Sequence, residues 1–152
     1  MEIIRTTSKN KMFQALVFRL DQELAERDGP DHEFYHQFNG IENLDHVILV
    51  KNKIEAVGCG AIKLFGTQAM EVKRMFVLKK FRSQGIAKLI LSALEEWTLE
   101  LGIEGCILET GKRQPEAISL YKKAGYKLIP NYGQYQGVEN SICFEKELSR
   151  NL

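Results

Sequence analysis

Apolar residues recur along this chain at two different periods, and the changes between them outline its elements. Met12, Phe13, Leu16, Val17, Leu20 and Leu24 fall three or four apart. That spacing predicts a helix from Lys9 to about Arg27, stopped by Asp28-Gly29-Pro30. Ile3 and Ile4 precede it as a short strand, and a second short helix is predicted over about Asp31–Phe38. Three strand-like runs follow, His46–Lys51, Ile54–Leu64 and Gln68–Leu78, separated by Asn52-Lys53 and Phe65-Gly66-Thr67. Turn residues between extended runs predict an antiparallel meander. The second half changes character. Ile86, Leu89, Ile90, Ala93, Leu94 and Trp97 share one face of a helix over Gly85–Leu101, ended by Gly102. Gly105–Thr110 is a strand, Pro115–Ala124 a short helix, and Tyr126–Ile129 and Ser141–Glu147 two last strands. A meander followed by alternating strands and helices predicts an α/β chain of the α+β type around a mixed sheet.

Length and composition narrow the class. The chain has 152 residues, 44% hydrophobic and 27% charged, which suits one folded domain over 1–152 and excludes a disordered chain. Its 21 Lys+Arg against 20 Asp+Glu leave a net charge of +1, so no global field draws it to nucleic acid or an anionic membrane. Cys59, Cys106 and Cys143 are odd in number and lie in apolar stretches. They read as buried, reduced thiols of a cytoplasmic protein. No signal-like segment and no membrane-length apolar run is seen. A monomer or a homodimer is expected.

The segment Glu71-Val-Lys-Arg-Met-Phe-Val77 carries the first chemical signal. Met70 and Val72 keep even parity, Lys73-Arg74 intervenes, and Met75 and Val77 are odd. A one-residue slip in a period-two pattern is what a β-bulge produces, leaving backbone groups without ladder partners. The alternative is a strand end buried on both faces. Directly after it, Arg82-Ser-Gln-Gly-Ile-Ala87 opens a helix. Amides at a helix start lack intrahelical acceptors and sit at the positive end of the dipole, so the loop is either an anion cradle or an ordinary strand-to-helix turn. It is neither a Walker loop nor a GxGxxG turn.

Arg82-x-x-Gly85-x-Ala87 resembles the [QR]-x-x-G-x-[GA] signature of the GNAT superfamily of acetyl-CoA-dependent N-acetyltransferases. Ala117-Ile-Ser-Leu-Tyr121-Lys-Lys-Ala-Gly125-Tyr126 is similar to that superfamily's second segment, A-x-x-L-Y-x-x-x-G-[FY]. The resemblance implies the GNAT fold: a mixed, mostly antiparallel sheet of about seven strands splayed between the fourth and fifth, flanked by about four helices. It implies acetyl-CoA as cosubstrate, with pantetheine along Met75, Phe76 and Val77. The pyrophosphate would lie on the loop formed by Arg82, Ser83, Gln84, Gly85, Ile86 and Ala87. Tyr121 would face the thioester sulfur, and Gln114 stands where the family often has an Asn contacting coenzyme A.

The implied reaction is direct attack of a primary amine on the acetyl group. A protonated amine is no nucleophile, so a base must remove a proton. Glu71 and Glu109 both occupy positions that serve as the base in branches of the superfamily; each is otherwise a solvated strand carboxylate. Tyr121 is either the hydrogen-bond donor to the leaving thiolate or a ring packing its helix on the sheet. Arg74, Arg113, Tyr132 and Tyr135 are candidates for the acceptor pocket, their alternatives being ordinary surface arginines and a packed loop around Gly133. His32-Glu33-Phe34-Tyr35-His36 fits the HExxH zinc pattern, but Asn39 and Glu42 break its extended form. No metal is expected. The other function class kept open is a non-catalytic acyl-CoA-binding or sensing module.

Overall fold

The computed structural model describes residues 1–29 and 43–149. The helix predicted over Asp31–Phe38, with its HExxH pattern, lies outside the described residues. In chain order the elements are β1 (Glu2–Thr6), α1 (Lys11–Asp28), β2 (His46–Lys51), β3 (Ala56–Phe65), β4 (Ala69–Val77), α2 (Ile86–Glu100), β5 (Gly105–Gly111), α3 (Pro115–Lys123), β6 (Lys127–Ile129) and β7 (Ser141–Glu147). Each predicted strand and helix in the described residues is present, with ends displaced by a residue or two. The strands form one sheet in the order β1-β2-β3-β4-β5-β7-β6, antiparallel except for β4 beside β5.

The helices divide between the two faces of the sheet. Asn10 caps α1, its side-chain oxygen accepting from the Met12 and Phe13 amides at 2.8 and 3.2 Å. Phe13, Leu16 and Leu20 then pack with Val47, Leu49, Cys59, Ala61 and Phe76. The intervening residues Ile48, Val50, Val57 and Ile62 turn to the other face and meet Ile86, Ile90, Leu91 and Leu94 of α2. Period-two alternation with both faces covered explains why the middle strands read as continuous apolar runs. Tyr121, Tyr126 and Phe144 extend the α2-side core toward β7. All three cysteines are buried and reduced, and burial pushes the Cys59 thiol up to about 12.

Two departures from a regular sheet open it. Gly58 pairs with Val77 and Cys59 with Phe76, but Ala61 pairs with Lys73, so β4 carries one extra residue across from Gly60. This is the bulge indicated by the parity slip: Met70, Val72 and Val77 all reach the α2-side core, and Met75 packs against it. Arg74, at the bulge, takes φ 60°, a left-handed conformation rare outside glycine. Gly60 lets the bulged strand and α2 close up, because a Cβ there would lie 2.7 Å from Met75 Sδ and 2.8 Å from Ile90 Cγ2. Farther along, β4 and β5 pair only at Met70–Cys106 and Glu71–Ile107 before they part. The parted strands form a V, closed on one side by α1 and on the other by α2 and α3.

Candidate active site

The V is a cleft of about 490 Å³. Its walls include Glu71 and Arg74–Val77 from β4, Glu109–Gly111 from β5, Tyr121 from α3, Leu20, Leu24 and Asp28 from α1, and Tyr135 from the loop before β7. Arg82, Ser83, Gly85, Ile86, Ala87 and Gln114 also line it. The cleft therefore gathers nearly all the residues singled out in the sequence. Gln84 is exposed and is not on the wall; nor is Tyr132 or Arg113.

The loop after β4 is shaped to present backbone. Ser83 at φ 64° and Gly85 at φ 81° turn it left-handed immediately before α2. A Cβ built on Gly85 meets nothing within 4 Å, so the space before the first amides of α2 is open. The Arg82 side chain is engaged elsewhere. Its two terminal nitrogens donate to Glu23 Oε1 and Oε2, each at 2.8 Å, and its Nε donates to the Val77 carbonyl at 2.8 Å. The guanidinium also sits 5.5 Å from the Phe76 ring centroid. This fork straps α1 to the strand and loop, and it holds the Glu23 carboxyl below the usual carboxylate range. Arg74 is buried rather than on the surface, and its Nη1 donates to Asp21 Oδ1 at 2.9 Å. Arg113 Nη1 donates to the Asp28 carbonyl at 2.8 Å.

Deeper in the cleft the carboxylates converge. Ser141 Oγ donates to Glu109 Oε2 at 2.7 Å, and Tyr132 Oη donates to Glu71 Oε2 at 2.6 Å. The Glu109 carboxyl is pushed up to about 7, chiefly by burial. The neighbouring charges of Asp28 and Glu71 add to that rise, and the Ser141 hydroxyl opposes it. Tyr132 and Tyr135 meet edge to face at 5.8 Å, and Phe65 packs on Tyr132 at 5.0 Å. Tyr132 thus anchors Glu71 from behind, while Tyr135 forms wall.

Tyr121 is 6% exposed, its ring set against Tyr126 at 5.8 Å and Phe144 at 6.2 Å. Burial, with a smaller contribution from Glu109, drives its phenol well above the ordinary tyrosine range, so the proton stays on at any working pH. Among the described residues its hydroxyl has no hydrogen-bond partner, which in a buried phenol leaves a donor for whatever enters the cleft. Gln114 stands at the N-cap of α3 without capping it, its side chain likewise on the cleft wall. Among the described residues no three His, Cys, Asp or Glu side chains are grouped as metal ligands.

A bulged strand, a left-handed loop at a helix start and a buried tyrosine on one splayed cleft are a specific combination, and sequence comparison agrees with it. Residues 14–126 match the acetyltransferase (GNAT) family. The chain belongs to that family. Its reaction is accordingly acyl transfer with acetyl-CoA as the donor. Among relatives of this GNAT chain, the uncharacterized protein YyaT of Bacillus subtilis (strain 168) is 28% identical over 152 residues, covering 100% of the chain and 99% of the relative. The IAA acetyltransferase of Azospirillum brasilense is 37% identical over 93 residues, covering 60% of the chain and 61% of the relative. A crystal structure of a provisionally named acyl-CoA N-acyltransferase from Klebsiella pneumoniae superposes with a TM-score of 0.80 at 29% identity, covering 97% of both chains. No helix among the described residues is long and apolar enough to cross a membrane.

Proposed function

We propose that this GNAT domain, working in the cytoplasm as a single unit, acetylates a primary amine by direct attack within a ternary complex. The observation that carries this reading is the Glu109 carboxyl, half-buried on the wall of the same cleft as the bulge, held by Ser141 and pushed up to about 7. A base with its pKa near working pH is both ionised enough to accept a proton and basic enough to take one. The incoming ammonium is drawn to an end of the cleft where Asp28 and Glu71 both lie close enough to act on Glu109. It gives a proton to Glu109, and the freed nitrogen lone pair attacks the acetyl carbon. The carbonyl oxygen gains negative charge, and the Met75 amide, in the interrupted stretch of the β3–β4 ladder, is the donor that would hold it. The C–S bond then breaks with the Tyr121 hydroxyl hydrogen-bonded to the departing sulfur, and the attacking nitrogen loses its second proton to the thiolate, giving the amide and free coenzyme A. Glu71, held by Tyr132, keeps the field at this end negative.

The donor occupies the other arm. Pantetheine runs beside Met75, Phe76 and Val77, and the pyrophosphate lies on the amides of Ser83–Ala87, where Gly85 leaves room. Gly85→Glu places a side chain and a like charge in that space, and a non-glycine residue at φ 81° adds strain of about 1 kcal/mol. Calorimetry should find acetyl-CoA binding weakened at least about tenfold in a folded protein. Unchanged affinity would remove the pyrophosphate from this loop.

Steady-state kinetics with both substrates varied test the order of events. Direct attack requires both to be bound together, so reciprocal plots should intersect. Parallel lines with an isolable acetyl-enzyme would mean a covalent route and overturn the mechanism.

A further inference from the structure

The carboxylate read as the base is held by a side chain from the next strand. Ser141 opens β7, and across the β5–β7 ladder it faces Gly111, while Glu109 faces Cys143. The 2.7 Å bond from Ser141 Oγ to Glu109 Oε2 is therefore a diagonal cross-strand contact, which fixes the carboxylate along the sheet. Ser141 is itself well placed to act as an anchor. It is 5% exposed, its amide donates to the Val138 carbonyl at 3.1 Å, and its carbonyl accepts from Asn131 Nδ2 at 3.1 Å. Ser141 is not part of the cleft wall, so it reaches the reaction only through Glu109. Among the described residues no cation pairs with Glu109.

We propose that Ser141 is a positioning residue for the proton-accepting carboxylate, tying down Oε2 of Glu109 so that Oε1 is left to receive the proton of the acceptor amine. This rests on the reading of Glu109 as the base. The bond also sets when that base is available. The groups acting on Glu109 are Asp28 from α1, Glu71 from β4, Tyr121 from α3, and Tyr135 and Cys143 from the loop and strand beyond it. Of these neighbours, Asp28 and Glu71 disfavour the carboxylate, as burial does, and the tyrosines and thiol stay neutral at working pH. Ser141 alone favours the ionised form. A hydrogen bond donated to a carboxylate stabilises it over the acid, so deleting the donor must raise the pH at which the base becomes competent.

The test is kcat/KM for one accepted amine as a function of pH, in the wild type, S141A, S141C and E109Q, with melting temperatures alongside. Using one amine fixes the contribution of its own titration. S141A is expected to move the acid limb up by about one pH unit, with the fold retained. S141C keeps the packing but donates weakly, and its limb should fall between the two; if S141A does not fold, this variant decides the question. A limb that stays at the wild-type position in the folded variants, while E109Q loses it, overturns the role of Ser141 and leaves the base in place. An E109Q variant that keeps the wild-type limb overturns the reading of the base itself.

Discussion

Replacing Glu109 by Gln is expected to lower kcat/KM for the amine by about a hundredfold to ten-thousandfold at neutral pH, the range a general base contributes. The substitution keeps size and polarity and removes only the ability to accept a proton. The sign of the pH dependence follows from the carboxyl's position at about 7. Below that value the wild-type base is protonated and idle, so activity should rise with pH through about 7 and then level off. In the Gln variant that limb should vanish, leaving a slow rate that climbs toward the amine's own pKa as free amine appears without help. Glu71→Gln separates the two carboxylates. It removes a negative neighbour that raises Glu109, so the limb should shift to lower pH while most of the rate survives. If Glu71→Gln abolishes the limb and Glu109→Gln is silent, the base is Glu71.

Tyr121→Phe is expected to cost about tenfold to a thousandfold in kcat, with acetyl-CoA affinity changed less than about threefold. A thiolate is a fairly good leaving group, so assistance matters without being indispensable. The phenol remains protonated in its buried seat, and the hydroxyl is without a protein partner among the described residues, so the donor is available when charge develops on sulfur. Phenylalanine keeps the ring contacts with Tyr126 and Phe144. A raised KM with unchanged kcat would make Tyr121 a binding residue. A lower melting temperature with intact kinetics would make it purely structural.

The features legible in the sequence are those that leave a local pattern. The slip from Met70 and Val72 to Met75 and Val77 marks the bulge because all four meet the same α2-side core, so one extra residue between them must shift their parity. The loop at Gly85 was legible because a left-handed turn into a helix restricts residue choice. What stayed hidden is made of pairs far apart in the chain. Nothing near Arg82 shows that its fork closes on Glu23, or that Arg74 is buried against Asp21; each partner lies on α1, whose apolar spacing marks only its core face. Tyr132 reads in the sequence as a candidate for the acceptor pocket or as part of a packed loop, and its bond to Glu71 is hidden there, since an aromatic loop residue carries no sign of where its hydroxyl will land. Ser141 passes unnoticed for the same reason, as an ordinary strand serine until β7 is laid beside β5. The acceptor end as a whole depends on three segments meeting, and only the fold supplies that.

The most direct test of acetyl transfer to an amine is coenzyme A release by the wild-type enzyme across a broad panel of primary amines, with the products weighed by mass spectrometry. The account requires saturable thiol release that depends on the amine, and a product heavier than its amine by one acetyl group on nitrogen. Release that no amine accelerates, from a protein that still binds acetyl-CoA, would contradict it and leave a module that holds the thioester without transferring it.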